Sequence, residues 1–174
     1  MTRSQRNPQN DATGEPIELR PVDLDNYHRV LKLEVAPEQV GFLWSGGSTQ
    51  VNAAALAEAA YVGFTAEAAY CGGKPVGLVV WGRYHPGYRF REPAEPGSYI
   101  IDHMMVDRAF QGRGLGRRLL EAAVGRIGAL PDCRRIVLSY DLGNDHAARL
   151  YGKAGFRHFG TDHEGSPLME LVVR

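Results

Sequence analysis

Gln111-Gly112-Arg113-Gly114-Leu115-Gly116 is the stretch on which the reading of this chain turns. It follows an apolar run, Ser98 to Val106, and opens a segment in which Leu115, Leu119, Leu120, Ala123, Val124 and Ile127 recur at three-, four- and five-residue steps before Pro131. This order predicts a strand, a glycine turn and an amphipathic helix from Gly114 to about Ala129. Such a junction binds anions, because the first amides of a helix have no backbone partner and the helix dipole adds partial positive charge. Glycine lets the backbone approach a diphosphate closely, and Arg113, Arg117 and Arg118 can add charge-assisted contacts. Alone, the glycines fit a plain tight turn equally well. Spacing excludes two nucleotide motifs: Gly112, Gly114 and Gly116 give GxGxG where a dinucleotide fingerprint needs GxGxxG, and no GxxxxGK followed by Ser or Thr occurs.

Outward from the loop, the rest reads as one domain. Residues 1–15 form a polar lead-in expected to be disordered, and 16–174 form the domain. Ile17 to Arg20 alternates as a strand stopped by Pro21, and Asp23 is placed to cap a helix to about Val35. An irregular, partly apolar loop follows. Ser48 or Thr49 can cap an alanine-rich helix to about Ala60. Ala66–Tyr70 and Pro75–Tyr84 flank Cys71-Gly72-Gly73-Lys74, the composition of a tight hairpin. His85 to Gly97 reads as a loop, Arg135–Tyr140 as a strand, Asn144 as the cap of a short helix to Ala154, and Phe156–Gly160 and Leu168–Val173 as closing strands. A meander of strands ahead of helix-separated ones implies a mixed α/β domain on one central sheet.

At 174 residues the chain is long enough for one core and short for two. Twenty basic and twenty acidic residues cancel, which argues against a dedicated nucleic-acid or anionic-membrane binder. Cys71 and Cys133 occupy no metal-ligand spacing and make no disulfide scaffold, so no metal is expected and a reduced, cytoplasmic setting is. No run approaches the roughly 20 apolar residues of a membrane helix.

Met104-Met105-Val106-Asp107-Arg108-Ala109-Phe110 leading into the glycine loop resembles the acetyl-CoA segment of the GNAT acetyltransferase superfamily. The resemblance continues through Leu138 to Phe156, which is similar to the family stretch ending in Asn, a short helix, Tyr and Gly-Phe. It implies an α/β (α+β) single-domain fold with a mixed, mostly antiparallel sheet of about six or seven strands and about four helices. Acetyl-CoA is the implied co-substrate. Gln111, Gly112, Arg113, Gly114, Leu115, Gly116 and Arg117 would then cradle its diphosphate, Met104, Met105 and Val106 would line its pantetheine arm, and Asn144 and Ala147 would add contacts. Asn144 and Tyr151 are seven apart, near two helical turns, and share a face. The resemblance gives Tyr151 the task of protonating or stabilising the departing thiolate. Without it, Tyr151 reads as a packing aromatic and Asn144 as a helix cap.

An amine acceptor must lose a proton, since alkyl amines titrate near pKa ~10.4. Asp102 stands where polyamine-acetylating members carry an acidic residue, which makes it the candidate base, directly or through a water. An equally good reading is a hydrogen bond at a strand bulge or attraction of the substrate. Alternation puts His103 on the face opposite Asp102 unless a bulge intervenes, and His85 and His146 read as solvated. Leu19–Asp23, Leu33–Phe42 and Tyr99–Val106 are similar to bacterial diamine and spermidine acetyltransferases, which implies a primary-amine acceptor of di- or polyamine type. Glu34, Glu38, Asp102 and Asp141 are the carboxylates available to its ammonium groups, whereas Arg83, Arg89 and Arg91 would repel it if they faced the groove. Two other readings stand beside this one: acetylation of a protein N-terminus or an antibiotic amine, and a non-catalytic CoA-binding sensor. The acceptor is a small molecule rather than nucleic acid or membrane, and a homodimer is compatible with the resemblance.

Overall fold

The computed structural model describes residues 15–43, 51–84 and 95–173. Within them seven strands form one sheet in the order β1-β2-β3-β4-β5-β7-β6. These are β1 (Glu18–Pro21), β2 (Thr65–Cys71), β3 (Lys74–Arg83), β4 (Ser98–Val106), β5 (Arg135–Ser139), β6 (Arg157–Thr161) and β7 (Pro167–Val172). Only β4 and β5 are parallel; the remaining neighbours are antiparallel. Five helices accompany them: α1 (Tyr27–Val30), α2 (Val40–Leu43), α3 (Val51–Val62), α4 (Leu115–Gly128) and α5 (Asp145–Lys153), with 3-10 turns at Pro37–Gln39 and Arg108–Phe110. No described helix is long and apolar enough to cross a membrane.

The β2–β3 hairpin follows from Gly72 and Gly73, whose φ values of 57° and 71° suit a turn only glycine enters cheaply. β4 matches its predicted bounds. Pro21, expected to stop β1, is its last residue and pairs with Glu67; an edge strand tolerates a residue with no N–H to donate. The helix expected from Asp23 to Val35 shrinks to four residues. Asp23 Oδ1 instead receives the amides of Asp25 and Asn26 in a turn, and buried Asn52 donates from Nδ2 to the carbonyls of Val30 and Leu33 at 3.0 and 2.8 Å. Those bonds end the helix from outside. The loop expected before α3 contains the Pro37–Gln39 turn and α2. Ser48, Thr49, Gly46, Gly47, most of the expected loop from His85, and the polar lead-in apart from Glu15 lie outside the described residues.

Two apolar layers sandwich the sheet. Leu115, Leu119, Leu120, Ala123 and Ile127 of α4 and Tyr151 of α5 pack on one face against Tyr99, Ile101, Ile136 and Leu138. Each fully buried large aliphatic side chain contributes about 1.5–3 kcal/mol. On the other face, Val30, Ala55 and Ala59 pack against Leu78, Val80 and Met105. Buried Glu67 ties α4 to the sheet: Trp81 Nε1 donates to its Oε2 at 2.8 Å, and Arg126 stands 3.5 Å from Oε1.

A bulge in β4 decides which residues each layer receives. Trp81 pairs with Ile101 and Val80 with His103, leaving Asp102 unopposed. Below it Tyr99 and Ile101 face α4; beyond it Met104 and Val106 do, and Met105 joins the α3 side. The alternation expected to separate His103 from Asp102 is therefore interrupted at that point.

Close approach of β3 to β4 makes a sharp test. A Cβ on Gly77 would stand 2.5 Å from the Met105 carbonyl oxygen, whereas one on Gly125, in exposed mid-α4, would meet nothing within 4 Å. Gly77→Ala is expected to cost about 1–3 kcal/mol, and Gly125→Ala to gain about 0.4–1 kcal/mol. Denaturant melts of the two variants check the opposite signs.

Candidate active site

β4 and β5 pair over only three positions, Ser98 with Arg135 to Ile100 with Val137, and then part. β4 runs on through Val106 and β5 through Ser139, so the sheet opens between them. A cleft of about 440 Å³ occupies the gap. Its floor is Met104, Met105 and Val106; its far end is Gly112, Gly114, Leu115, Gly116 and Arg117; Asn144, Ala147 and Tyr151 form the α5 wall. The two cofactor segments read from the sequence thus meet across one cavity.

The glycine loop has the geometry an anion needs. Gly112 and Gly114 hold φ of 75° and 74°, values that strain any residue with a Cβ, and a Cβ at either would meet no protein atom within 4 Å. Their bareness therefore serves backbone conformation and access rather than internal packing. Gly114 is also the N-cap of α4 and contributes no side-chain cap, so the first-turn amides are offered to a ligand. An extended apolar floor with a diphosphate-sized anion site at its end fits acetyl-CoA.

Gln111 lines the cleft, yet its side chain works within the protein. Its Nε2 donates to Val106 O at 2.9 Å and Gln39 Oε1 at 2.8 Å. Arg113 does not line the cleft: its guanidinium stands over the Phe110 ring, 5.8 Å from the centroid. Asn144 is both cap and wall, its Oδ1 accepting the Ala147 amide at 3.0 Å. Tyr151 is buried between the rings of Tyr140 and Phe156, at 6.2 and 6.1 Å. Desolvation pushes its phenol up to about 12.

The acceptor carboxylates stand apart from this lining. Asp102 is the half-buried bulge residue two positions before Met104. Glu34 pairs with Arg108 at 2.8 Å and borders a second cavity of about 220 Å³ beside α2 and α3. Glu38 is exposed on the Pro37–Gln39 turn, and Asp141 is half-buried in the loop before α5. Arg83 is ion-paired with Asp132; Arg89, Arg91 and His85 lie outside the described residues.

Sequence reasoning missed part of the wall. Val35, Gln39, Phe42 and Leu43 roof the cleft, and His146 and Leu150 flank the α5 face. The last two had a signal: they sit four apart, one position before Ala147 and Tyr151. The roof had none, since no periodicity marks a four-residue helix.

A fold with a parted central sheet, a glycine loop capping a helix and a buried tyrosine on the opposite wall defines a CoA-dependent acyl-transfer site. The Acetyltransferase (GNAT) family model matches residues 26–156, and the chain belongs to that family. It is an acetyl-CoA-dependent N-acetyltransferase. The spermine/spermidine N(1)-acetyltransferase of Bacillus subtilis (strain 168) is 32% identical over 154 residues, 88% of this chain and 96% of that protein. The aminoglycoside N(6')-acetyltransferase type 1 of Klebsiella pneumoniae is 33% identical over 72 residues, 41% of this chain and 36% of that protein. Among solved structures, the aminoglycoside acetyltransferase AAC(6')-Ib with coenzyme A superposes with a TM-score of 0.74 at 25% identity, covering 90% of this chain and 94% of that one.

Asn144 allows its two roles to be separated. Asn144→Asp retains an oxygen for the Ala147 amide but places a negative charge beside the anion site, whereas Asn144→Ala removes the cap. The Ala variant is expected to lose about 1 kcal/mol of stability. The Asp variant should keep its melting temperature and bind CoA several-fold more weakly, as calorimetric titration reads.

Proposed function

We propose that the protein transfers acetyl from acetyl-CoA to a primary alkyl amine of di- or polyamine type. The observation that carries this reading is the spermine/spermidine N(1)-acetyltransferase relative, similar over nearly its whole length. The Arg83–Asp132 pair supports it by neutralising one cation that would otherwise oppose a polycation. Glu34, Glu38, Asp102 and Asp141 are assigned to the ammonium groups, with Glu34 shared with Arg108. The roof and the α5 wall hold the thioester between them, and water exclusion by Met104, Leu150 and Tyr151 strengthens polar contacts there.

Tyr151 is assigned to the departing sulfur. With its phenol near 12 and an ordinary thiol near 8.5, complete proton transfer to the thiolate is uphill by about 3.5 units, or about 5 kcal/mol. Its hydroxyl therefore stabilises the developing charge by donating a hydrogen bond, which costs no ionisation. Asp102 is assigned to the amine's proton, received through a water as the nitrogen commits its lone pair to the new bond. Cys71 and Cys133, both buried and in no disulfide, suit a reducing cytoplasm. A homodimer belongs to the same proposal: Leu24, Tyr27 and Leu31, in and around α1, are exposed apolar side chains, and sedimentation equilibrium reads the mass.

A thiol-release assay over putrescine, spermidine, spermine, kanamycin and a short peptide tests the acceptor. Turnover is expected with the polyamines; kanamycin or peptide turnover with inert polyamines would replace this reading. Tyr151→Phe should lower kcat about 10²-fold with CoA affinity unchanged. The pH profile has a definite sign, because Tyr151 acts in its protonated form and its raised pKa keeps that form through neutral and mildly alkaline pH. kcat/KM should climb as the amine deprotonates, with no tyrosine-linked fall below about pH 11. A phenol at the usual value near 10 would instead turn the profile down about two pH units earlier.

A further inference from the structure

The segment that roofs the cleft and the loop that forms its anion end are more than seventy positions apart in sequence and are joined by a compact set of bonds. The Glu34 amide donates to Asp107 Oδ2 at 3.0 Å, the Arg108 amide donates to Glu34 O at 2.6 Å, and the Arg108 guanidinium pairs with the Glu34 carboxylate at 2.8 Å. Asp107 Oδ1 meanwhile accepts the Ala109 amide at 2.9 Å. These bonds fix the start of the roof to the residues just before the glycine loop.

The link that reaches the loop itself is Gln39. Its Oε1 accepts the Gln111 Nε2–H at 2.8 Å and the Ala36 amide at 3.3 Å. Gln111 spends its other amide hydrogen on Val106 O at 2.9 Å. The side chain of Gln111 is thereby clamped between the end of β4 and the roof, and the backbone that follows it is Gly112 to Gly114. That backbone needs such a clamp. Two glycines at positive φ have wide conformational freedom, and a loop that must order itself on binding gives up affinity in doing so.

We propose that Gln39 is a positioning residue for the co-substrate: it holds Gln111, and through it the glycine loop, in the conformation that receives the diphosphate. Gln39 itself lines the cleft, so one side chain sets both the height of the roof and the placement of the anion site. The proposal rests on this cleft being the acetyl-CoA site and is independent of which amine is acetylated.

A double-mutant cycle tests it, with CoA affinity read by calorimetric titration and kcat read at saturating acetyl-CoA. Methionine keeps the length of glutamine and removes its hydrogen bonds. Gln39→Met and Gln111→Met are each expected to weaken CoA binding about 10-fold, and the double variant about 10-fold rather than 100-fold, because both changes break one shared clamp. For Gln39→Met the loss should fall on KM for acetyl-CoA more than on kcat, since the residue acts on loop order before chemistry; a general loss of structure would lower kcat and melting temperature together. Unchanged affinity in Gln39→Met, or a strictly multiplicative loss in the double variant, would overturn the proposal. A parent that binds no CoA would instead refute the reading of the cleft.

Discussion

The parting of β4 from β5 after Ile100 is the constraint on which the rest of the molecule depends. A continuous parallel ladder would bury the backbone polar groups of β4 against β5 and leave no cavity. Because pairing covers three positions only, the β5-facing edge of β4 beyond Ile100 has no ladder, and buried peptide groups without partners are costly. Part of that cost is met within the protein, where Gln111 Nε2 donates to Val106 O at 2.9 Å, and Met104 to Val106 line the cleft that the parting leaves. The elements that hold the two strands apart are also the ones that supply the ends of the site: the start of α4 at one end, the start of α5 on the wall, the roof above. The starts of α4 and α5 lie side by side, since a Cβ added to Gly116 would stand in ordinary contact with Leu150 at 3.9 Å.

The bulge at Asp102 is the second half of the same arrangement. By inserting one residue it turns Met104 and Val106 toward the α4 layer and Met105 toward the α3 layer, so the cleft floor has contacts with both cores. A floor supported from both sides resists deformation when a ligand binds, because both cores are close-packed. The bulge also sets Asp102 outside the ladder register, as bulges beside active sites commonly do to re-aim a side chain.

Local signals account for what could be read from the sequence. The hairpin at Gly72-Gly73, the length of β4, the amphipathic α4 and the Asn144 cap each depend on residues within a few positions, and each was legible. The failures have one cause, long-range bonding. Asp23 and the apolar residues after it suggested a helix to Val35, but Asn52, 19 and 22 positions away, takes the carbonyls that would have continued it. Gln111 lines the cleft and is in addition a strut to Gln39, 72 positions away, which no local signal announces. Glu34 pairs with Arg108, a partner equally invisible in the sequence. A sequence displays donors, acceptors and charges; which of them remain for a ligand is decided by partners that only folding brings near.

This division also explains why the two halves of the site differ in legibility. The cofactor side is built from backbone amides, two glycines at positive φ and the open edge of a strand, so its sequence signature is a requirement for small residues at fixed spacing. Few side chains could replace those glycines without strain. The acceptor side, as proposed, draws on side chains of a bulge, a 3-10 turn and loops, where a substitution changes charge and shape at little cost to the fold. Acceptor preference can thus move between amines while the acetyl-CoA half stays constant. Relatives similar to this chain whose names specify spermine and an aminoglycoside are what such a scaffold produces. The acceptor proposed for this chain follows the same logic: carboxylates on a bulge, a 3-10 turn and a loop recognise charge better than shape, which suits a flexible polycation more than a rigid, hydroxyl-rich amine.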